Sequence, residues 1–330
     1  MSIPTAVSIP TAVSIRRTRT PRLVAVVMVV LALTAAACGS GSSDKKSNAG
    51  GSSAAGFPAT VKAANGDVVI PKRPTRIVSL SATATEMLYA IGAGKQVVAV
   101  DDTSNYPAGV PTTKLSALNP NVEAIAAYQP DLVVAADDNG GLFDNLKRLS
   151  IPALRAPAAR VFDDSYAQID QLGRATGHQP AAADLVKKMR DRISGLVAQV
   201  PKRTHPVTYY HELDNTLFSV TSDTFIGEIY KLAGLQNIAD ATKDKAGGYP
   251  QLSAEFVLQS KPDFIFLADT KCCAQTPATV AARPGWGDLP AVKNGHVVPL
   301  DDDVASRWGP RVPDFLQVIV DATKSTTGGG

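Results

Sequence analysis

The sequence predicts an α/β protein of two lobes with mainly parallel sheets, joined by one long helix. Three observations carry the prediction. Strand-like apolar runs alternate with helical periods, two pairs of segments recur in the same order in each half, and one long helical stretch lies between the halves. In that stretch, Ala181 to Val200, the residues Leu185, Val186, Met189, Ile193, Leu196, Val197 and Val200 recur every three or four positions and line up as one apolar stripe. Lys187, Lys188, Arg190, Asp191 and Arg192 stay off it. Pro180 suits the first turn, where its missing N–H would have no helical partner, and Pro201 stops the run. About twenty residues at 1.5 Å rise span roughly 30 Å, the width of a small domain.

The other elements follow in chain order. VKAANGDVVI is two short apolar runs around Asn65-Gly66, a hairpin signal. Residues 76–80, 96–100 and 132–136 read as strands, with a helix over Thr85 to Ile91 closed by Gly92. After the long helix come strands at 207–210, 264–268 and 296–300, and helices at 223–233, 254–260 and 312–323. Alternation of this kind implies parallel sheets covered on both faces. NVEAIAAYQPDLVVAA (121–136) and SAEFVLQSKPDFIFLA (253–268) share a helix N-cap residue, a glutamate two positions on, a Pro-Asp pair and an apolar strand. EMLYAIG (86–92) and EIYKLAG (228–234) form the second pair. The two halves are therefore expected to be related lobes.

Residues 1–38 stand apart from the fold. Arg16, Arg17, Arg19 and Arg22 form a basic region, Leu23 to Leu33 is apolar, and Thr34-Ala35-Ala36-Ala37 leads directly into Cys38. The apolar stretch is shorter than the roughly 20 residues that span a bilayer. The pattern resembles a bacterial lipoprotein signal, which implies lipidation of Cys38, and a mature chain on the extracytoplasmic face of the membrane. Residues 39–56 are rich in Gly and Ser and read as a flexible tether. Removing the four signal arginines leaves 29 basic against 30 acidic residues, so nothing argues for nucleic acid as a partner. With 330 residues, 45% of them hydrophobic, the chain is long enough for two real cores. The expected organisation is signal 1–37, tether 38–59, N-terminal lobe 60–162, linker and bridging helix 163–204, and C-terminal lobe 205–330.

Five stretches carry a family resemblance: RIVSLSATATEMLYAIGAG, VVAVDDTSNYP, NVEAIAAYQPDLVV, YPQLSAEFVLQSKPDFIFL and LPAVKNGHVVPLDDDVASRWGPR. Over residues 60–325 the chain resembles the iron-chelate (siderophore or haem) and vitamin B12 class of substrate-binding proteins of ABC importers. The resemblance implies two Rossmann-like α/β lobes, an interlobe ligand cleft, limited hinge motion, and delivery of a ferric chelate, haem or cobalamin to a permease and its ATPase. It also implies a monomer without intrinsic cofactor and without catalysis. Glu123 and Glu255, each second in its helix, would favour the helix dipole on any reading. They match the pair of surface glutamates, one per lobe, that in the family dock onto permease arginines.

Ligand candidates come from loops after the strands. They are Ser81, Thr83, Asp102, Tyr106, Asp138, Asn139, the region of His211, Tyr249, and the run Ser306 to Arg311. Arg307 and Arg311 offer forked donors to a carboxylate or chelate oxygen, and Trp308 offers an apolar plane; Arg311 pairing with Asp301 to Asp303 is the plainer reading. Cobalamin-type members tend to carry tryptophan six residues before each docking glutamate; here Ala117 and Tyr249 stand there. Trp286 reads as a packed loop anchor. Cys272-Cys273 is read as a disulfide in an exported chain, with reduced thiols or a metal-binding pair as alternatives. His178, His205, His211 and His296 have no metal-ligand spacing, so no metal site is expected. The competing functions are a lipid-anchored thiol enzyme and a signalling lipoprotein. The enzyme reading lacks a Cys-x-x-Cys pair, a Gly-x-Ser-x-Gly elbow and a phosphate-binding loop.

Overall fold

Two parallel four-stranded sheets with the same strand order account for the α/β grammar of the sequence. The computed structural model describes residues 56–324; the expected signal, Cys38 as its expected lipidation site, and nearly all of the tether lie outside the described residues. The chain enters through an antiparallel hairpin, β1 (Ala59–Ala63) and β2 (Gly66–Ile70), which turns at Ala64-Asn65. Gly66 opens β2 at φ +101°, a conformation that glycine adopts without strain. The turn thus falls one residue earlier than the Asn-Gly motif suggested.

The N-terminal sheet is built from β3 (Ile77–Leu80), α1 (Ala82–Ala90), β4 (Val97–Val100), α2 (Val122–Ala126), β5 (Leu132–Ala135), α3 (Leu142–Arg148) and β6 (Ala153–Arg155). Its strands lie in the order β4-β3-β5-β6, all parallel. The Asn65 side chain donates to Ala153 O at 3.0 Å and accepts from Arg155 N at 2.9 Å, so the hairpin occupies polar groups of the edge strand β6.

The chain then forms α4 (Phe162–Thr176) and α5 (Gln179–Val197) before building the second sheet. That sheet uses β7 (Val207–Glu212), α6 (Phe225–Leu232), β8 (Leu235–Asn237), α7 (Ala254–Ser260), β9 (Phe264–Leu267), α8 (Pro277–Ala281), α9 (Pro290–Lys293), β10 (Val297–Pro299), α10 (Asp302–Ser306) and α11 (Val312–Lys324). Its strand order, β8-β7-β9-β10, is again second, first, third, fourth. The repeated sequence segments therefore correspond to a repeated topology.

Alternation along the strands divides the core into three parts. Ile77, Leu132, Val134, Tyr209, Phe264 and Phe266 belong to one cluster that also takes in Ile169, Leu172, Met189, Ile193, Phe315 and Ile319 of the helices. Val78, Val133 and Ala135 point the other way, to Ile125, Leu142 and Leu146. Tyr210, Ile265 and Leu267 point to Val257, Trp286 and Ala291. Each sheet thus has an outer core of its own, and both share a central one.

Helix α5 runs from 179 to 197, beginning two residues and ending three residues earlier than the pattern indicated, with Pro180 in its first turn. It begins at the N-terminal sheet, where His178 Nε2 meets Arg73 and Gln96 at 2.9 and 3.1 Å. It ends at the C-terminal sheet, where Arg192 pairs with Asp314 of α11 at 2.6 Å. Ala182, Met189, Ile193 and Leu196 are buried, each large apolar side chain worth about 1.5–3 kcal/mol, while Val197, expected on the stripe, is exposed at the helix end.

The helix does not bridge alone. Helix α4, which falls in the stretch read as linker, folds back along it as a hairpin partner. Asp164 accepts the Arg160 and Val161 N–H groups that precede α4, and Gly177 at φ +75° closes it. Arg190 lies 4.1 Å over the Tyr166 ring and 2.8 Å from Asp163, while further along Gly173 faces Ala182. A Cβ at Gly173 would stand 2.5 Å from that of Ala182, whereas one at Gly195 would meet nothing within 4 Å. Gly173→Ala should destabilise the chain by about 1–3 kcal/mol through overpacking. Gly195→Ala should stabilise it by up to about 1 kcal/mol through helix propensity. Urea unfolding of the two variants distinguishes them; equal effects would remove the case for a close α4–α5 crossing.

Candidate functional site

The carboxyl ends of the strands, where open α/β sheets hold ligands, are joined across the two lobes by one cluster of charged side chains. Its centre is Glu86, in α1, with a side chain only 1% exposed. Arg307 Nη1 donates to Glu86 Oε1 at 2.7 Å, and Arg311 grips the same carboxylate through Nε to Oε2 at 2.9 Å and Nη2 to Oε1 at 2.5 Å. Arg307 also reaches Thr103 O and Asn105 Oδ1, both at 3.0 Å, and Asp303 Oδ1 at 2.7 Å. Hydrogen bonding to Glu86 raises the Arg311 pKa above its ordinary value.

A second layer extends this contact. Asn105 Nδ2 donates to Asp303 Oδ2 at 3.0 Å, and Lys271 holds Asp301 and Asp303 at 2.9 and 2.8 Å. Burial works against the charge on Asp303, but hydrogen bonds from Lys271 and Asn105 and the nearby Arg307 prevail and keep its pKa below the usual carboxylate value. The Arg311 guanidinium lies 4.2 Å over the Tyr106 ring, which remains 44% exposed. Trp308 donates through Nε1 to Gln168 of α4 at 2.9 Å, and its carbonyl accepts from Ser165 at 2.5 Å.

These contacts correct the expectation that Arg307 and Arg311 stand as free donors in the cleft. A carboxylate closed off from water needs cations, and Glu86 takes both. Arg311 does not pair with the Asp301 to Asp303 run either. Trp308 is half-buried between lobes, with its polar edge engaged. Ser81 and Thr83 are buried, Ser81 serving as the N-cap of α1. His211 is fully buried, bonded to the Tyr230 hydroxyl at 2.8 Å, and burial pushes its pKa down to about 3. It belongs to the core. Asp138 Oδ1 accepts from Phe143 N at 3.1 Å, and Asn139 donates to Ala117 O at 2.9 Å. Asp102 and Tyr106 are exposed on the loop after β4, and Tyr249 is 45% exposed on a loop strapped by Ser219 N to Pro250 O at 2.9 Å. Trp286 is buried, edge-on to Tyr210 at 6.1 Å.

Glu123 and Glu255 occupy equivalent places. Asn121 caps α2 by accepting from Ala124 N at 2.9 Å, and Ser253 caps α7 by accepting from Phe256 N at 3.1 Å. Each glutamate follows in the first turn with an exposed side chain. Cys272 and Cys273 are joined as a disulfide. Their loop rests on Asp302, whose carboxylate accepts from Thr270 N and Oγ1, Lys271 N and Cys272 N at 2.7–3.0 Å. No group of three or more metal-ligating side chains occurs among the described residues.

Sequence reasoning passed over Glu86 except as part of a repeat. The available signal was an acid inside an otherwise apolar helix face, since a buried acid demands a partner. Its counterpart Glu228 behaves alike, accepting from Phe162 N at 3.1 Å, with burial raising its pKa.

Comparison with known proteins gives a consistent result. The periplasmic binding protein family matches residues 77–304. An uncharacterized ABC transporter substrate-binding lipoprotein, YvrC of Bacillus subtilis, is 30% identical over 306 residues, covering 89% of this chain and 94% of that one. A cobalamin-binding protein of Halobacterium salinarum is 29% identical over 318 residues, 93% of this chain and 85% of its own. The crystal structure of the vitamin B12-binding protein BtuF of Vibrio cholerae superposes with a TM-score of 0.66 at 25% identity, over 77% of this chain and 98% of that one.

Replacing Glu86 with Gln leaves two guanidinium groups, 9% and 16% exposed, without their counter-charge. The variant should lose about 3–5 kcal/mol of stability. Denaturant unfolding at neutral pH measures this, and a loss within error of zero would show that the cluster does not hold the lobes.

Proposed function

Because the chain belongs to the periplasmic binding protein family, we propose that it is a lipid-anchored receptor that captures a metal chelate outside the membrane. It hands this cargo to an ABC-importer permease driven by its ATPase. The observation that carries the reading is the pair Glu123 and Glu255, exposed in the first turns of α2 and α7 in two lobes of identical strand order. One carboxylate per lobe makes a two-point grip for arginines, and charge-assisted bonds at an exposed rim suit reversible docking. The anchor is Cys38, and the receptor works as a monomer without catalysis. The competing thiol-enzyme reading finds no Cys-x-x-Cys pair, since Cys272 and Cys273 are adjacent and joined to each other.

The cargo is a corrinoid, a haem or a ferric siderophore, held between the lobes. Tyr106 and Tyr249 supply exposed ring surface, and Asp102 and Asn105 are exposed beside Tyr106 on the loop after β4. Arg307 and Arg311 act on the cargo chiefly by fixing Asn105 and Tyr106 in place. The cobalamin-binding relative favours a corrinoid, while Ala117 at a position where cobalamin-type proteins tend to carry tryptophan counts against one.

Glu123→Ala combined with Glu255→Ala should abolish uptake in cells while leaving cargo affinity unchanged in solution. Unchanged uptake would remove the docking role. Titration with aquocobalamin, haem and a ferric hydroxamate, followed by visible absorption and tryptophan fluorescence, should give saturable binding by one of them. Affinity no better than about 1 mM for all three, near −4 kcal/mol, would defeat the chelate reading.

A further inference from the structure

At the carboxyl ends of β7 and β9 the C-terminal sheet changes direction, since the chain leaves β7 for β8 on one side and continues through β9 on the other. Open α/β sheets place binding sites at such switch points. Here two acids occupy it. Glu212 is the last residue of β7, Asp269 lies two residues past β9, and neither has exposed surface.

One cation lies against the pair, and its bonds to carboxylate go to Glu212 alone. Arg283 donates Nη1 to Glu212 Oε2 at 2.6 Å and Nη2 to Glu212 Oε1 at 2.5 Å, and Nη2 also reaches Gln275 Oε1 at 2.7 Å. Both carboxyl oxygens of Asp269 are left without a donor. Tyr210, from β7, is the other titratable group facing the pair, and burial pushes its phenol well above the ordinary value. Lys271 of the overlying loop and Asp302 of α10 are engaged elsewhere, with Asp301 and Asp303 and with loop N–H groups respectively. An ionised carboxylate without donors or water is among the costliest groups a fold can hold. A protonated Asp269 removes that cost, because its O–H donates to the ionised Glu212.

We propose that Asp269 and Glu212 hold a single shared proton, and that this proton fixes the disulfide-bearing loop 269–276 on the C-terminal lobe. The loop is folded around Asp269: its carbonyl accepts from Cys273 N at 3.2 Å and Gln275 N at 3.3 Å, and Gln275 Nε2 returns to Cys273 O at 2.9 Å. Loss of the proton puts two negative charges against one guanidinium. Asp269 is the first residue of the loop, so its escape to water takes the loop with it. Burial and the Glu212 charge push the Asp269 pKa up to about 7. The folded chain therefore keeps a proton that the unfolded chain releases at the ordinary carboxylate pKa. The stabilisation is complete below that pKa and is lost as pH rises through about 7. On the function proposed above the loop borders the cleft, so external pH acts on the cleft's edge. That consequence rests on the proposed function; the shared proton does not.

The test uses the intact chain in detergent micelles. The ¹³C carboxyl signal of Asp269, identified by its loss in Asp269→Asn, should titrate with a midpoint near 7. Hydrogen exchange at Cys273 and Gln275 should accelerate across the same midpoint beyond the base-catalysed increase. In Asp269→Asn, whose amide donates to Glu212 at every pH, exchange should follow base catalysis alone. If that variant does not fold, Glu212→Gln identifies the signal instead, because removing the neighbouring charge moves the Asp269 midpoint downward. A midpoint near the ordinary value of about 4, or exchange indifferent to the midpoint, overturns the proposal. A midpoint near 7 in a chain that binds no chelate would sink the functional reading and leave the shared proton standing.

Discussion

The contact on which the arrangement depends is one buried carboxylate shared by two guanidinium groups. Glu86 comes from the first helix of the N-terminal sheet, and Arg307 and Arg311 come from the turn between α10 and α11, more than two hundred residues later in the chain. A buried ion pair is weak evidence for net stability, because desolvation offsets much of the Coulombic gain. Its effect on geometry is stronger. Bidentate bonds from Arg311, with Arg307 also anchored to Thr103 and Asn105, leave few relative positions in which all donors are satisfied. The cluster specifies how the two lobes meet.

Packing reinforces that specification. The central core runs without a break from the N-terminal sheet through α1, α4, α5, α6 and α11 to the C-terminal sheet. A wide hinge motion would open this core to water along its length, at a cost proportional to the apolar area exposed. The α4–α5 hairpin adds a second strut, since Gly173 lets the helices approach more closely than any side chain would allow. Outside this core, on the carboxyl side of the strands, lie the loops 101–106, 244–253 and 269–276.

Much of this was legible in the sequence, for identifiable reasons. Strands such as Leu132–Ala135 and Phe264–Leu267 are buried on both faces and read as continuous apolar runs. The first-turn glutamates and their caps follow from local rules, and α7 was located to the residue. Helix α4 was missed because its apolar positions Ile169 and Leu172 are sparse among Asp, Gln and Arg, and its stability comes from packing against α5. Strands β6 and β8 are three residues long, too short to show a period. The arginines of the SRWGPR run were recognised as chemistry, but not their partner. Nothing local links Glu86 to a segment that distant in the chain, and only the folded topology brings them together.

The two repeats also divide the handling of buried acid in an instructive way. The glutamates of the paired segments, Glu86 and Glu228, both reach out of their own lobe, one to the α10–α11 turn and the other to the backbone N–H that opens α4. The first meets full positive charges and is held by them; the second meets only a helix terminus, and its burial is incompletely compensated. Deeper in the C-terminal lobe, the one arginine beside Glu212 and Asp269 bonds Glu212 alone, where Glu86 takes bonds from two. Positive charge is thus concentrated where the lobes meet and is scarce beneath the loop at 269–276. A fold arranged in this way holds its lobes through charge and packing, and on the proposals made above it leaves the loop at 269–276 as its adjustable element.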